Sequence, residues 1–512
     1  MPRRLAILAA TALVGLTAGA ALAQSQTYTT KHWTDAAGDV AVTFEGQVFV
    51  NHGLVGVGRL PAATRDFRGE TLGSFSSMAL DPKSWRRLKD GSYTGVFWTL
   101  PDRGPNNIGG LDTTDYANRI HTHRFTFQPA AKPGEGGGQL TLIPIGGFLL
   151  LDQTGKPFTG KDPGAGTLIR DGITYPSPAA GEGAGRISLD SEGLARLPDG
   201  GFYVSDEYAA GVYLFDKTGR QIGAIPAPPA LAPMSDGKLN FSAAKPPTTG
   251  RRNNQGLEAA AVTPDGTRLV TILQSATVQD TAGADAATRN NTRVLVYDIS
   301  KTRTPKAPIG HYVLQLPTVR VKGDGQPADV TAAQSEMVAL NDHQFLVLSR
   351  DGNGRGTGKP NDGVFKSILL VDTRGATNLA GTPYEQGVQP VAKAGALVDG
   401  VVPVKQVELV NFLDPVQLAK FGMNLSTKPS TPFTLSEKLE AMALAPALDP
   451  KAPHDFFLFV GNDNDFETAQ GRVNGQDFDA GLTGADGSGV GDNDNVVLVY
   501  RLTLPTVDVK GR

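Results

Sequence analysis

The chain has 512 residues, of which 48 are basic and 51 acidic, giving a formal net charge of −3. This balance, with no basic run, excludes a nucleic-acid-binding strip; the lack of cysteine excludes disulfides, thiolate metal sites and cysteine nucleophiles. With 62 Gly and 35 Pro the chain is rich in turns, strand-like runs outnumber amphipathic helical ones, and an all-β fold is predicted.

At the amino end, Arg3 and Arg4 precede an apolar, Ala-rich stretch from Leu5 to Leu22, and Ala21-Leu22-Ala23 fits a small-x-small cleavage site. Residues 1–23 are therefore predicted to be a secretory signal peptide, with residues 24–512 as one exported domain, periplasmic or secreted. An uncleaved anchor is the alternative, since the stretch is long enough to span a bilayer. No second long apolar run follows, so the mature chain is expected to leave the membrane and to act as a monomer.

Val40 to Val50 alternates apolar and polar residues and is predicted to pair beside the C-terminal strand Val496 to Leu504, joining both chain ends in one sheet. A degenerate unit follows: Ser76-Ser77-Met78-Ala79-Leu80, a strand from Gly95 to Leu100, Pro101-Asp102-Arg103-Gly104, and a strand from Ile120 to Phe127. Its clearest copy is Asp190 to Asp216, with strands Ser191–Arg196, 202–205 and 212–215 around the turn Pro198-Asp199-Gly200-Gly201. The second strand ends in Asp206-Glu207. Asn254-Gln255-Gly256-Leu257-Glu258 opens a further copy, with Pro264-Asp265-Gly266 and a strand from Arg268 to Leu273. Ser335-Glu336 opens the next, ending in Arg350-Asp351; Ser436-Glu437-Lys438-Leu439-Glu440 opens the last, ending in Gly461-Asn462-Asp463-Asn464-Asp465. In the degenerate unit the acidic position is read as Ser76.

Recurring antiparallel units of this kind predict a β-propeller, here of six or seven blades with long inserted loops. The loops are residues 129–139, 152–182, 226–253 and 279–291; one short helix is predicted over Asp414 to Phe421.

Ser-Glu-Gly-Leu-Ala with Phe-Tyr-Val-Ser-Asp-Glu, then Asn-Gln-Gly-Leu-Glu-Ala, then Lys-Leu-Glu-Ala-Met-Ala with Phe-Val-Gly-Asn-Asp-Asn-Asp-Phe, resembles the exported phytase-like family, labelled "esterase-like activity of phytase". The resemblance runs from about Phe44 to Leu504 and is most specific at 192–207 and 254–258. It implies a propeller and a calcium-dependent phosphoesterase or esterase acting on a small-molecule ester or phosphoester.

Glu192, Glu258, Glu336 and Glu440 occupy equivalent positions. If those positions face the axis, their carboxylates converge and call for a hard cation such as Ca²⁺, with Asp206 and Asp463 as further ligands. Arg103 and Arg350, at strand ends, suit a phosphate or carboxylate, and Glu207 suits a general base in metal-assisted hydrolysis. A second reading stands beside this one. The glutamates can staple neighbouring blades through backbone N–H groups, the arginines can pair with those acids, and the molecule is then a non-catalytic propeller that binds a ligand or envelope partner.

Other classes fail on motif. Gly-x-Ser-x-Gly, His-Glu-x-x-His and Walker A patterns are absent from the sequence. His121 and His123 share a strand face and are read as surface residues. Asp351 to Asp362 starts like a calcium loop, but Arg355 replaces a required ligand; Asp486 to Asp494 is read as a solvated acidic loop.

Overall fold

Local turn chemistry sets the strands. The Asp199 carboxylate accepts the Gly201 N–H at 3.0 Å while Gly200 takes φ +95°; Asp265 and Gly266 (φ +72°) repeat the device. A computed structural model describes residues 25–130, 139–356, 361–483 and 489–507. The predicted signal peptide and Asp486 lie outside these residues.

The fold is nearly all-β and propeller-like. Each unit has four antiparallel strands, in units one to four one more than the sequence reading gave them. The first unit runs Ser77–Leu80, Tyr93–Leu100, Arg119–Phe127 and Gln139–Leu149. The second runs Ser191–Arg196, Phe202–Asp206, Val212–Phe215 and Gln221–Ile225. The third is Leu257–Val262, Arg268–Leu273, Asn291–Asp298 and Gly310–Gln315; the fourth is Ala333–Ala339, Gln344–Arg350, Lys366–Asp372 and Lys405–Asn411. The fifth takes Leu439–Pro446, Asp455–Asn462 and Asn495–Thr503 from the C-terminal part and Gln47–Leu60 from the N-terminal part. Where six or seven blades are predicted, the described residues form five such units.

The predicted pairing of the chain ends is present: Val50 lies opposite Thr503 and Leu60 opposite Asn495. Val40 to Val50 is a hairpin rather than one strand, with Val40–Phe44 folded back on Gln47–Leu60. The latter also touches the first unit in parallel register, Val57 opposite Gln139, so the first and fifth units share one sheet.

Period-2 alternation gives every sheet two apolar faces. Phe457 and Phe459 face Phe97 and Phe125 of the first unit, while Phe456, Leu458 and Val460 face Leu346, Leu348 and Ile368 of the fourth. Phe202 and Val204 join Leu100 and Ile120 between units one and two; Tyr203 and Leu214 join Leu269 and Leu295 between units two and three; Val270 and Val294 join Phe345 and Val347 between units three and four. Five apolar layers thus lie between neighbouring four-stranded units. The predicted helix is present as Pro415–Ala419, capped by Asp414, whose carboxylate accepts the N–H groups of Val416 and Gln417.

Candidate metal centre

The inner strands begin with a β-bulge in units two to five. An extra residue on one strand of a pair re-aims its side chain. In units two, three and five the register shift spans the glutamate itself, between Ser191 and Leu194, Leu257 and Ala259, and Leu439 and Ala441. Carboxylate oxygens of Glu192, Glu258 and Glu440 all lie within 4.8 Å of one another, and all three residues are buried. In the fourth unit the shift falls one residue earlier, on Ser335, and Glu336 stays in register opposite Leu348. Its carboxylate accepts its neighbour Met337 N–H at 2.8 Å and the Ser77 hydroxyl. Glu336 is therefore hydrogen-bonded to its own strand and to the Ser77 hydroxyl of the first unit, while its three counterparts converge. The serine that meets it on the axis is Ser77, not Ser76.

Two glycines make the convergence possible. A Cβ on Gly193 would overlap the Ala260 backbone nitrogen, and one on Gly256 would overlap the Glu207 carbonyl oxygen. The glycines of Ser-Glu-Gly and Asn-Gln-Gly thus let the second and third inner strands, and the Glu207 backbone, approach closely.

Glu207 forms a second group with Asp190 and Glu192, again with oxygens within 4.8 Å. Burial first, then the Asp190 charge, pushes the Glu207 carboxyl up to about 8. Burial and then the charge of Glu258 push Glu192 well above the ordinary range, and burial followed by Glu207 does the same to Glu258.

Asp206, adjacent in sequence, does not join these groups. Its oxygens accept the N–H groups of Asp190, Tyr208 and Ala209 at 3.0–3.1 Å, which fixes the loop that carries Glu207. Asp463 forms a third acidic group with Asp102 and Asp465, spanned by Lys438 at 3.2 Å from Asp463 and 2.6 Å from Asp465.

The arginines are held internally. Arg103 Nη1 lies 2.8 Å from Asp190, and Arg350 is ion-paired with Glu440 while its Nε donates to Ser335 at 3.0 Å. Five carboxyls (Asp190, Glu192, Glu207, Glu258, Glu440) then face two guanidiniums in a buried setting. Gln274 donates to Glu258 Oε1 at 3.0 Å, but Glu258 Oε2 is buried without a hydrogen-bond partner. A buried carboxylate oxygen without a donor is costly. An oxygen-seeking cation fits this donor set: Glu192, Glu258 and Glu440 could supply its ligands, and the orphan oxygen would gain a partner.

Asp190, Lys438 and Ser77 were not assigned roles from sequence. Asp190 stands two residues before Glu192, and Lys438 two before Glu440, so an acid or base flanking the repeated glutamate was the available signal. Elsewhere the structure corrects one reading. His121 and His123 are buried, not on the surface: His121 lies 3.4 Å from Asp66, and His123 Nε2 is 2.9 Å from the Thr99 hydroxyl. Burial pushes His123 down to about 3. Asp351 and Asp362, in the segment where Arg355 argues against a calcium loop, are each held by other partners. Asp351 pairs with Lys366 at 2.9 Å, and Asp362 accepts the Thr427 N–H at 2.9 Å.

Fold and site together define a propeller-like all-β protein with carboxylates gathered where its inner strands begin. The chain belongs to the phytase-like family, "esterase-like activity of phytase", whose description matches residues 70–466. It is 35% identical over 457 residues to an "Uncharacterized secreted protein" of Arthroderma benhamiae, covering 82% of this chain and 88% of that one. Among solved structures, the WD40 domain of Toxoplasma gondii coronin matches with a TM-score of 0.29 at 8% identity, over 94% of this chain and 89% of that one. A Dyadobacter fermentans protein described as of unknown function matches with a TM-score of 0.27 at 11% identity, over 88% and 98%. Superpositions this loose carry no argument, and the fold rests on the sheets described above.

No helix among the described residues is long and apolar enough to cross a membrane.

Proposed function

We propose that this chain is an exported, Ca²⁺-dependent phosphoesterase or esterase acting on a small anionic or ester substrate, built on a closed ring of five blades. Ring closure is supported by the five alternating apolar layers and by the pairing of the chain ends. Export, to the periplasm or beyond, is supported by the predicted signal peptide and by the word "secreted" in the name of the fungal relative. The observation that carries the activity is the convergence of Glu192, Glu258 and Glu440 on a buried carboxylate oxygen with no donor.

When bound there, Ca²⁺ supplies positive charge to a substrate oxygen and acidifies water. Glu192, Glu258 and Glu440 hold it. Glu207, beside Glu192 and Asp190, is the candidate base: burial holds its carboxyl up at about 8 in the metal-free protein, and a cation held by Glu192 would lower it and leave a carboxylate to accept a proton from water. Asp190 orients Arg103, and Glu440 orients Arg350, so both guanidiniums shape the field at the axis rather than reaching freely for substrate. That internal pairing is also the observation favouring the second reading, a binding propeller with a structural cation.

The test is thermal melting of the mature chain in EDTA and then in excess Ca²⁺, alongside hydrolysis of p-nitrophenyl phosphate and p-nitrophenyl acetate. The hydrolase reading expects a Ca²⁺-dependent rise in Tm and turnover that falls about 10²–10⁴-fold in Glu207→Gln. Stabilisation without turnover supports the binding propeller. Neither response rejects the metal centre.

A further inference from the structure

The three fully buried arginines among the described residues are matched by acceptors. Arg119 meets Asp66 at 2.6 Å and Glu70 at 2.7 Å, Arg293 meets Asp280 at 2.6 Å, and Arg251 is surrounded by the carbonyls of Tyr208 and Phe241. Arg252 and Arg289 break this pattern. They stand at the ends of the two long insertions, residues 226–253 and 279–291. Both are half-buried, and neither forms an ion pair with any described residue. The Arg252 side chain donates only to the Thr281 hydroxyl, at 3.0 Å. Arg289 Nε is buried without a hydrogen-bond partner.

Arg289 lines a cavity of about 190 Å³ between the third and fourth units, with Gln255, Ser275, Thr331 and Gly352 in its wall. Burial, and then the charge of Arg289, pushes Arg252 down to about 10. Burial lowers Arg289 as well, and Asp285, which is exposed, offsets this only in part. Two neighbouring cations half out of water, one of them lining a cavity, are stabilised by a bound anion. The wall is also continuous with the acidic axis. Ser275 donates to Gln255 at 2.7 Å, and its neighbour Gln274 donates to Glu258.

We infer that Arg289, with Gln255 and Ser275 in the same cavity wall and the Arg252 charge nearby, forms a binding site for an oxyanion group, phosphate or carboxylate, of a small-molecule ligand. This deepens the proposed function, resting on it only for the claim that the ligand is a substrate. The acidic axis cannot itself attract an anionic ester without metal, whereas a rim site carrying two unpaired guanidiniums supplies local positive charge in a chain whose net charge is −3.

The experiment is isothermal titration of the metal-free mature protein, in EDTA, with inorganic phosphate and separately with acetate. Saturable phosphate binding is expected, weakened about tenfold or more in Arg289→Gln and further in the Arg252→Gln/Arg289→Gln double variant. Arg303→Gln, which alters an exposed arginine 3.5 Å from Asp199, is expected to bind as the parent does. Matching circular dichroism and Tm values show that the variants are folded, and Arg289→Lys is expected to retain part of the affinity. Tighter phosphate than acetate binding assigns a phosphate site, and the reverse order a carboxylate site. No saturable binding of either anion, or binding that survives the double variant, overturns the inference. Because no metal is present, phosphate binding without any Ca²⁺ response rejects the hydrolase reading and leaves this site standing.

Discussion

Four of the five inner strands carry a glutamate near their start, and all five run on to a largely apolar cavity. At one end Glu192, Glu258 and Glu440 crowd together with Asp190 and Glu207 nearby. At the other, Met78, Leu194, Ala260, Met337 and Met442 line an open cavity of about 540 Å³. The apolar end is stabilised chiefly by burial, with an Arg196–Asp81 ion pair in the cavity wall, and tolerates exchange of one hydrophobe for another. The acidic end gains nothing from burial; each carboxyl there needs a proton, a cationic side chain or a metal. Glu336 marks the boundary, lining the apolar cavity while it bonds to Ser77 and to its own strand. A one-residue difference in bulge position separates the glutamate that staples from the glutamates that gather.

The largest expected break in this contrast comes from Arg350→Ala, which leaves Glu440 buried without its partner. A loss of about 3–5 kcal/mol in urea unfolding is expected in EDTA, and excess Ca²⁺ is expected to restore part of it. A loss no greater than that of an exposed substitution such as Arg303→Ala counts against a buried charge balance at the axis.

Next comes the pair Glu258→Gln and Glu336→Gln. Glu336→Gln removes an acceptor from a buried bond and is expected to cost about 1–3 kcal/mol while the Ca²⁺ response persists. Glu258→Gln is expected to abolish the Ca²⁺-dependent rise in Tm and to leave the metal-free protein as stable as the parent or more so, since it relieves repulsion with Glu192. Equal effects of the two on the calcium response erase the distinction drawn from the bulges.

The pH dependence follows from the raised carboxyls. Glu207 stands at about 8 and Glu437 at about 7, both pushed up chiefly by burial from an ordinary value of 4.5. The folded protein therefore holds these protons more tightly than the unfolded chain does. Their contribution to stability is complete below about pH 4.5 and is lost as pH rises through 7 to 8. Metal-free Tm is thus expected to fall from pH 5 to 8, with a shallower fall in Glu207→Gln. Excess Ca²⁺ is expected to reverse the slope, because binding displaces protons. A flat profile in EDTA contradicts this charge arrangement.

The smallest effect is expected at the apolar end. Met442→Leu, nearly volume-conserving, is expected to cost less than about 1.5 kcal/mol and to leave calcium stabilisation untouched.

The strands and turns were legible in the sequence because their causes are local. Phe202 to Asp206 and Arg268 to Leu273 follow Pro-Asp-Gly turns whose Asp side chains and glycines act within four residues. The outer strands were not read, since Gln221–Ile225 and Lys405–Asn411 are partly exposed and carry no clean alternation. The pairing of the chain ends was legible from the alternation of Val40 to Val50. The blade number was not, because uneven loops hide the repeat length.

For the candidate site, the sequence by itself determined that a glutamate opens four of the five units. Only the tertiary structure decided which of them converge, because a carboxylate's direction depends on the register of its strand against the next. Asp206 and Glu207, neighbours in the chain, are divided in the same way: the first folds back onto N–H groups of its own turn, and the second points to Asp190. Side chains one residue apart leave a strand on opposite sides, so composition and spacing can place an acid on the right strand, but only the pairing of that strand says whether it reaches the axis.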